Sequence, residues 1–132
     1  IANTYYMGKM ETNEKKPEQK QWADAVRVIF PDQTSNGTHV NVSGAAVTKS
    51  AKNADNAARL IAFLSGDRAQ KIYAEQNFEY PVKSGIALHP VVASWGTFKA
   101  DSIDLAEVAK YRATASRLVD ITAYDLGPQN GS

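Results

Sequence analysis

Only three short stretches of this sequence have the pattern of a β-strand, and they lie among a larger number of helical patterns. Arg27-Val28-Ile29-Phe30 is a run stopped by Pro31, Thr38 to Ser43 alternates polar and apolar residues, and Ala45 to Thr48 resumes extended character after Gly44. Two or three strands make a poor sheet to carry many helices. A mixed α/β chain with that shortage is expected to complete its sheet with strands from elsewhere.

The helices are marked by their starts and stops. Asn3 or Thr4 is placed to cap a helix from about Tyr5 to Glu14, which Lys15-Lys16-Pro17 breaks. Pro17 suits the first turn of a second helix, with Glu18 near its positive end and Trp22, Ala23, Ala25 and Val26 toward a core. Asp32 to Gly37 is a polar turn containing Asn-Gly. Asn53 or Asp55 caps the clearest helix, about Asn56 to Leu64, whose Ala57, Leu60, Ile61 and Leu64 share a face. Ser65-Gly66-Asp67 ends it and starts another, with Ala69, Ile72 and Tyr73 inward. Asn77 to Pro81 is a turn, and Val82 to Lys99 is irregular. Asp101 or Ser102 opens a last helical region with Leu105, Val108, Ala109, Leu118, Val119 and Ile121 on its apolar faces.

Composition removes several chemistries. The 132 residues amount to about one domain, and 43% hydrophobic with 22% charged is an ordinary globular balance. There is no cysteine, which excludes disulfides, thiolate metal sites and a cysteine nucleophile. His39 and His89 are the only histidines, so a histidine-rich metal site is excluded within this chain. A net charge of +1 makes no electrostatic case for nucleic acid. No apolar run approaches a membrane span. The sequence begins at Ile1 without an initiator Met, so the chain is expected to be processed or to belong to something longer.

Four segments carry a resemblance: Asn3-Thr4-Tyr5-Tyr6; Gly37-Thr38-His39-Val40-Asn41-Val42-Ser43-Gly44; Ala51-Lys52-Asn53-Ala54-Asp55-Asn56-Ala57 running into Leu60 to Leu64; and Tyr80-Pro81-Val82 followed by Ala93 to Asp101. In order and spacing the chain resembles the C-terminal part of the periplasmic ferric-iron-binding proteins of ABC transporters, over about Ile1 to Tyr124. It looks most like their marine and cyanobacterial types. The resemblance implies an α/β chain of the type II periplasmic-binding-protein fold, a C-terminal portion contributing to both lobes. Residues 1–38 would belong to the C-terminal lobe with the iron-ligand helix. Residues 39–82 would be a hinge strand and N-terminal-lobe helices, 83–126 a return to the C-terminal lobe, and 127–132 a tail. It further implies Fe(III) capture in the periplasm, delivery to an ABC permease, and dependence on an N-terminal portion that supplies the remaining ligands.

Tyr5 and Tyr6 are the metal ligands that the resemblance assigns to this chain, and Asn3 matches an anion-contacting asparagine. Fe(III) is a hard cation that favours anionic oxygen. A free phenol is neutral near pH 7, its pKa being about 10. A bound cation stabilises the phenolate, so binding releases a proton per ligand and weakens in acid. Adjacent helical residues usually point apart, but dihedrals at a helix start leave both oxygens able to reach one ion. A carbonate or phosphate there would meet free backbone N–H groups. Outside this context, two neighbouring tyrosines are amphipathic packing residues.

The other candidates have plainer readings. Tyr80 and Tyr124 are read as packing residues, and Tyr73 and Tyr111 have helical spacings that suit a core. His39 is read as a hydrogen-bonded strand residue and His89, before Pro90, as exposed. The competing functions are the same fold with thiamine, a polyamine or another anion, a split fragment inactive without its N-terminal portion, and an enzyme. For the last, Ser43, Ser50 and Ser94 offer hydroxyls and His39 a base, but no Gly-x-Ser-x-Gly elbow exists, and no catalytic role is expected.

Overall fold

The computed structural model describes residues 3–127; most of the tail expected at 127–132 lies outside them. The chain divides after Ala100 into two compact units.

In the first unit, α1 spans Thr4–Glu11 and α2 Glu18–Asp24. The break between them falls earlier than the Lys15-Lys16-Pro17 signal suggested. Thr12 ends α1 by turning both its N–H and its hydroxyl onto the Gly8 carbonyl, at 3.2 and 2.9 Å. Such back-bonding competes with continuation of the helix. Gly8 is buried because the Phe78 ring occupies the place of its missing side chain. Ala23 is buried on α2, whereas Trp22 and Val26, expected to face a core, are more than half exposed.

Two helices form a hairpin, α3 at Ala54–Leu64 and α4 at Asp67–Asn77. Its corner holds a buried polar side chain, Gln70. The Gln70 amide donates to the Leu64 carbonyl at 2.9 Å and its oxygen accepts the Val82 N–H at 2.9 Å. Both ends of a buried carboxamide are thereby satisfied, as burial demands. The apolar face of α3 is amphipathic as expected but stays open: Leu60 is 56% exposed. On α4, Ala69 and Ala74 are the buried apolar positions, and Ile72 remains exposed. The helix stops at Phe78, which takes a left-handed conformation with φ 56°. That costs a residue with a Cβ about 1–2 kcal/mol. Burial of the ring against Gly8 and edge-on to His89, at 4.6 Å between centroids, offsets it.

A short helix, α5 at Pro90–Ser94, lies in the stretch read as irregular. His89 is its N-cap, Nδ1 accepting the Val91 N–H at 3.2 Å, and Pro90 occupies the first turn. His89 is therefore half-buried and structural rather than exposed. Val92 is completely buried, and Trp95 Nε1 donates to Glu11 Oε1 at 3.3 Å, joining the end of α5 to α1.

The three expected strands do not form a ladder. Among the described residues the pairing is one isolated parallel bridge, Thr38 to Ala100. His39 is accordingly exposed rather than a ladder residue. A strand exists only through a neighbour's N–H and C=O groups, so an alternating pattern without a neighbour stays merely extended.

The second unit holds α6 at Leu105–Lys110, α7 at Arg112–Thr122 and a 3₁₀ turn at Tyr124–Leu126. Asp104, not Asp101 or Ser102, caps α6 by accepting the Ala106 N–H at 2.8 Å. Tyr111 separates α6 from α7 and is 63% exposed, not in a core. Leu105, Leu118 and Ile121 are also exposed.

Candidate metal centre

The start of α1 places Tyr5 and Tyr6 side by side. Asn3 precedes the helix in extended backbone (φ −72°, ψ 138°), and its carbonyl accepts the Tyr6 N–H at 3.2 Å. Within this first turn the two rings do not diverge. Their centroids are 4.2 Å apart with planes inclined at 48°. Tyr5 is half-buried and Tyr6 is 55% exposed, so both phenols border solvent.

The phenols are electrostatically linked. A hydrogen bond with Tyr5, and the negative charge that Tyr5 acquires on ionising, hold the Tyr6 phenol above its ordinary value. Slight desolvation adds to this, and Lys9 opposes it. The Lys9 ammonium stands 4.7 Å from the Tyr5 ring centroid, within cation–π range. Its position four residues after Tyr5 puts it on the same helical face, a signal that sequence periodicity carries.

Asn3 does not use its side chain to cap α1. Its Oδ1 instead accepts from Asn41 Nδ2 at 3.3 Å. With its oxygen engaged, the carboxamide retains N–H donors, the polarity an anion requires. Nothing local in the sequence announces Asn41, which is 38 positions away.

The other tyrosines have surroundings of their own. Tyr80 packs edge-on to Phe98 at 5.1 Å, and burial pushes its phenol up. Its hydroxyl is buried without a hydrogen-bond partner among the described residues. Tyr73 is half-buried on α4, and Tyr124 is exposed. Among the described residues no three His, Asp or Glu side chains converge as a metal site. Two phenol oxygens are a hard but partial donor set, which fits a trivalent cation better than a soft one.

Residues 2–100 match the family of bacterial extracellular solute-binding proteins. The chain is 44% identical over 120 residues to iron uptake protein A1 of Synechocystis sp., covering 91% of this chain and 33% of that protein. Iron uptake protein A2 of the same organism is 38% identical over 122 residues, with coverage of 91% and 35%. Among solved structures, apo ferric ion-binding protein A of Pasteurella haemolytica superposes with a TM-score of 0.83 at 48% identity, covering 95% of this chain and 38% of that one. A Trichodesmium protein solved in complex with iron and citrate gives 0.84 at 40% identity, over 90% and 37%. These neighbours have the type II periplasmic-binding-protein fold expected from the sequence, matched over a C-terminal portion. The chain spans about a third of the length of the curated relatives it matches.

Proposed function

Because the chain belongs to the bacterial extracellular solute-binding proteins, we propose that it is the Tyr-bearing portion of a periplasmic Fe(III) carrier. That carrier delivers iron to an ABC permease. The observation that carries this reading is the pairing of the Tyr5 and Tyr6 rings at the start of α1, 4.2 Å apart. Two phenolates offer the negative oxygens that Fe(III) favours. An exposed edge leaves them accessible to a solvated ion.

In this reading Tyr5 and Tyr6 each lose a proton as they bind the cargo. Lys9 eases that loss at Tyr6 by favouring its ionised phenol. Asn3, its oxygen held by Asn41, turns N–H donors toward an anion that completes the coordination shell. Carbonate, phosphate and citrate are all oxygen anions of suitable chemistry. The remaining ligands come from an N-terminal portion across a cleft. Residues 1–38 and 83–126 belong to one lobe, and 39–82 cross to the other. Release at a permease requires the cleft to open, which separates the two ligand sets. The residues of this chain bind and carry, and none is assigned a catalytic step.

Titration of the full-length protein with Fe(III) citrate, followed by visible absorbance, tests the proposal. A phenolate-to-iron charge-transfer band that saturates at one equivalent is expected. Absence of the band, with tight binding of thiamine or a polyamine instead, would replace iron with that ligand.

A further inference from the structure

Glu11 is the last residue of α1, and Trp95 is the C-cap of α5. Their side chains meet although 84 positions separate them, Trp95 Nε1 donating to Glu11 Oε1 at 3.3 Å. Both side chains are half-buried. An indole N–H is a donor only, and it seeks an acceptor when it leaves water. Glu11 supplies that acceptor from a place where helix electrostatics disfavour a carboxylate, the negative end of the macrodipole. The contact accounts for a residue that local preference does not.

A second contact fixes the middle of the same helix. The Phe78 ring occupies the place of a side chain at Gly8, where a Cβ would lie 2.3 Å from its Cγ. Phe78 in turn meets His89, the N-cap of α5, edge-on at 4.6 Å. Val92, between His89 and Trp95, is completely buried. The α5 segment therefore braces α1 twice, through Phe78 at Gly8 and through Trp95 at Glu11.

The brace acts on the helix that carries the phenols. Tyr5, Gly8 and Glu11 follow one another at intervals of three, each the neighbour of the next on the helix surface. At about 1.5 Å of rise per residue, Tyr5 and Glu11 lie about 4.5 Å along the axis on either side of Gly8. The close Phe78 contact makes Gly8 a fulcrum. A tilt that moves Glu11 by about 1 Å moves the Tyr5 backbone about as far in the opposite sense. Binding groups need to be held within about 0.5 Å of their productive geometry.

We propose that Trp95 is a positioning residue for iron capture, its indole N–H holding Glu11 so that α1 presents the Tyr5 and Tyr6 oxygens in one fixed direction. This rests on the iron reading above. Without the tie α1 rocks on the Gly8–Phe78 contact, and the phenols meet the ion over a spread of positions.

The test uses the full-length protein and variants on both sides of the bond. Trp95→Phe keeps an aromatic ring and removes the N–H. Glu11→Ala removes the acceptor, and Glu11→Gln keeps an oxygen acceptor without the charge. Chelator competition measures Fe(III) affinity, and absorbance at saturation measures the charge-transfer band. Trp95→Phe and Glu11→Ala should each weaken binding about tenfold, as loss of an outer-shell partner does, and shift or dim the saturated band. Glu11→Gln should stay near wild type in both. The double variant should be no weaker than the weaker single one, since both remove the same bond. Variants with a lowered urea midpoint but wild-type affinity and band would overturn the positioning role. So would a Glu11→Gln protein as weak as Glu11→Ala, which would put charge in place of the bond.

Linkage gives a test in the wild type alone. If the tie favours iron, iron favours the tie by the same factor. Exchange of the Trp95 indole proton, followed by NMR, should therefore slow about tenfold on saturation with Fe(III) citrate. An unchanged rate overturns the proposal even if every variant fails to fold. A wild type without the iron band overturns the proposed function itself.

Discussion

The Phe78 ring fills the space that a side chain at position 8 would need. A Cβ built on Gly8 would lie 2.3 Å from Phe78 Cγ. The pair ties the helix bearing Tyr5 and Tyr6 to the end of α4. Alanine at position 8 would gain about 1 kcal/mol of helix propensity, but overpacking costs about 1–3 kcal/mol. Gly8→Ala should therefore destabilise the full-length protein by up to about 2 kcal/mol in urea denaturation. Phe78→Ala made together with it should relieve the clash, giving a coupling energy that offsets part of the two single losses. A Gly8→Ala protein more stable than wild type would refute the contact.

Gln70 provides a second stability test. Its replacement by Leu leaves the Leu64 carbonyl and the Val82 N–H without their partner. Val82 is exposed, so each lost hydrogen bond at this partly buried corner costs about 0.5–1.5 kcal/mol. A lowered urea midpoint with unchanged iron absorbance at saturation is the expected result. Loss of the iron band at full occupancy would place Gln70 closer to the metal centre than described.

Tyr5→Phe and Tyr6→Phe each keep the ring and remove the oxygen. Either change should weaken Fe(III) binding by more than the roughly 10–100-fold typical of an outer-shell loss. Each should also diminish the charge-transfer band. Competition with a chelator of known affinity measures the first effect and absorbance the second. Full retention of both in the double variant would remove these residues from the ligand set.

The pH dependence has a definite sign. The hydrogen bond with Tyr5 and the Tyr5 charge keep the Tyr6 phenol above its ordinary value. Without metal it therefore stays protonated throughout the neutral range, and iron must displace the proton. Affinity should fall as pH falls, by about tenfold per unit for each proton displaced. Tyr6→Phe should reduce that slope by about one proton, as measured in a chelator competition series from pH 6 to 8. An unchanged slope would mean that Tyr6 does not ionise on binding. For folding, the raised value means that the native state holds this proton more tightly than the unfolded chain. Any contribution is present below the ordinary tyrosine range and is lost as pH rises through the raised value.

The isolated chain should be a poor folder. Among the described residues the fully or nearly buried apolar side chains are Ala23, Ala69, Ala74, Phe78 and Val92, mostly small, while Ile29, Val82, Leu105 and Ile121 stay exposed. Exposed apolar area of this kind needs a partner surface. Alone, the chain should bind a hydrophobic dye and melt broadly, and a co-expressed N-terminal portion should sharpen the melt. A sharp melt of the chain alone, with tight one-to-one iron binding, would show it to be self-sufficient.

Local chemistry made much of this protein legible in advance. The helix start before Tyr5, the start of α2 after Pro17, the α3–α4 corner at Ser65-Gly66 and the adjacency of the two phenols all depend on near neighbours. Capping, proline geometry and periodicity act over a few residues and leave their marks in order along the chain. The strands at 27–30, 38–43 and 45–48 and the orientation of Trp22, Leu60 and Tyr111 were another matter. Ladder pairing and burial are decided by what arrives from far along the chain, and alternation or a helical face records only readiness for it. Gly8 beneath Phe78, Asn41 on Asn3 and Gln33 across Thr38 and Lys99 belong to the same class. Each joins positions 38 to 70 residues apart or bridges a gap of 66, and the spacing of residue types carries no trace of such a meeting. The folded chain chose those partners because only there could a ring, an amide or a carboxamide find both room and a complementary group.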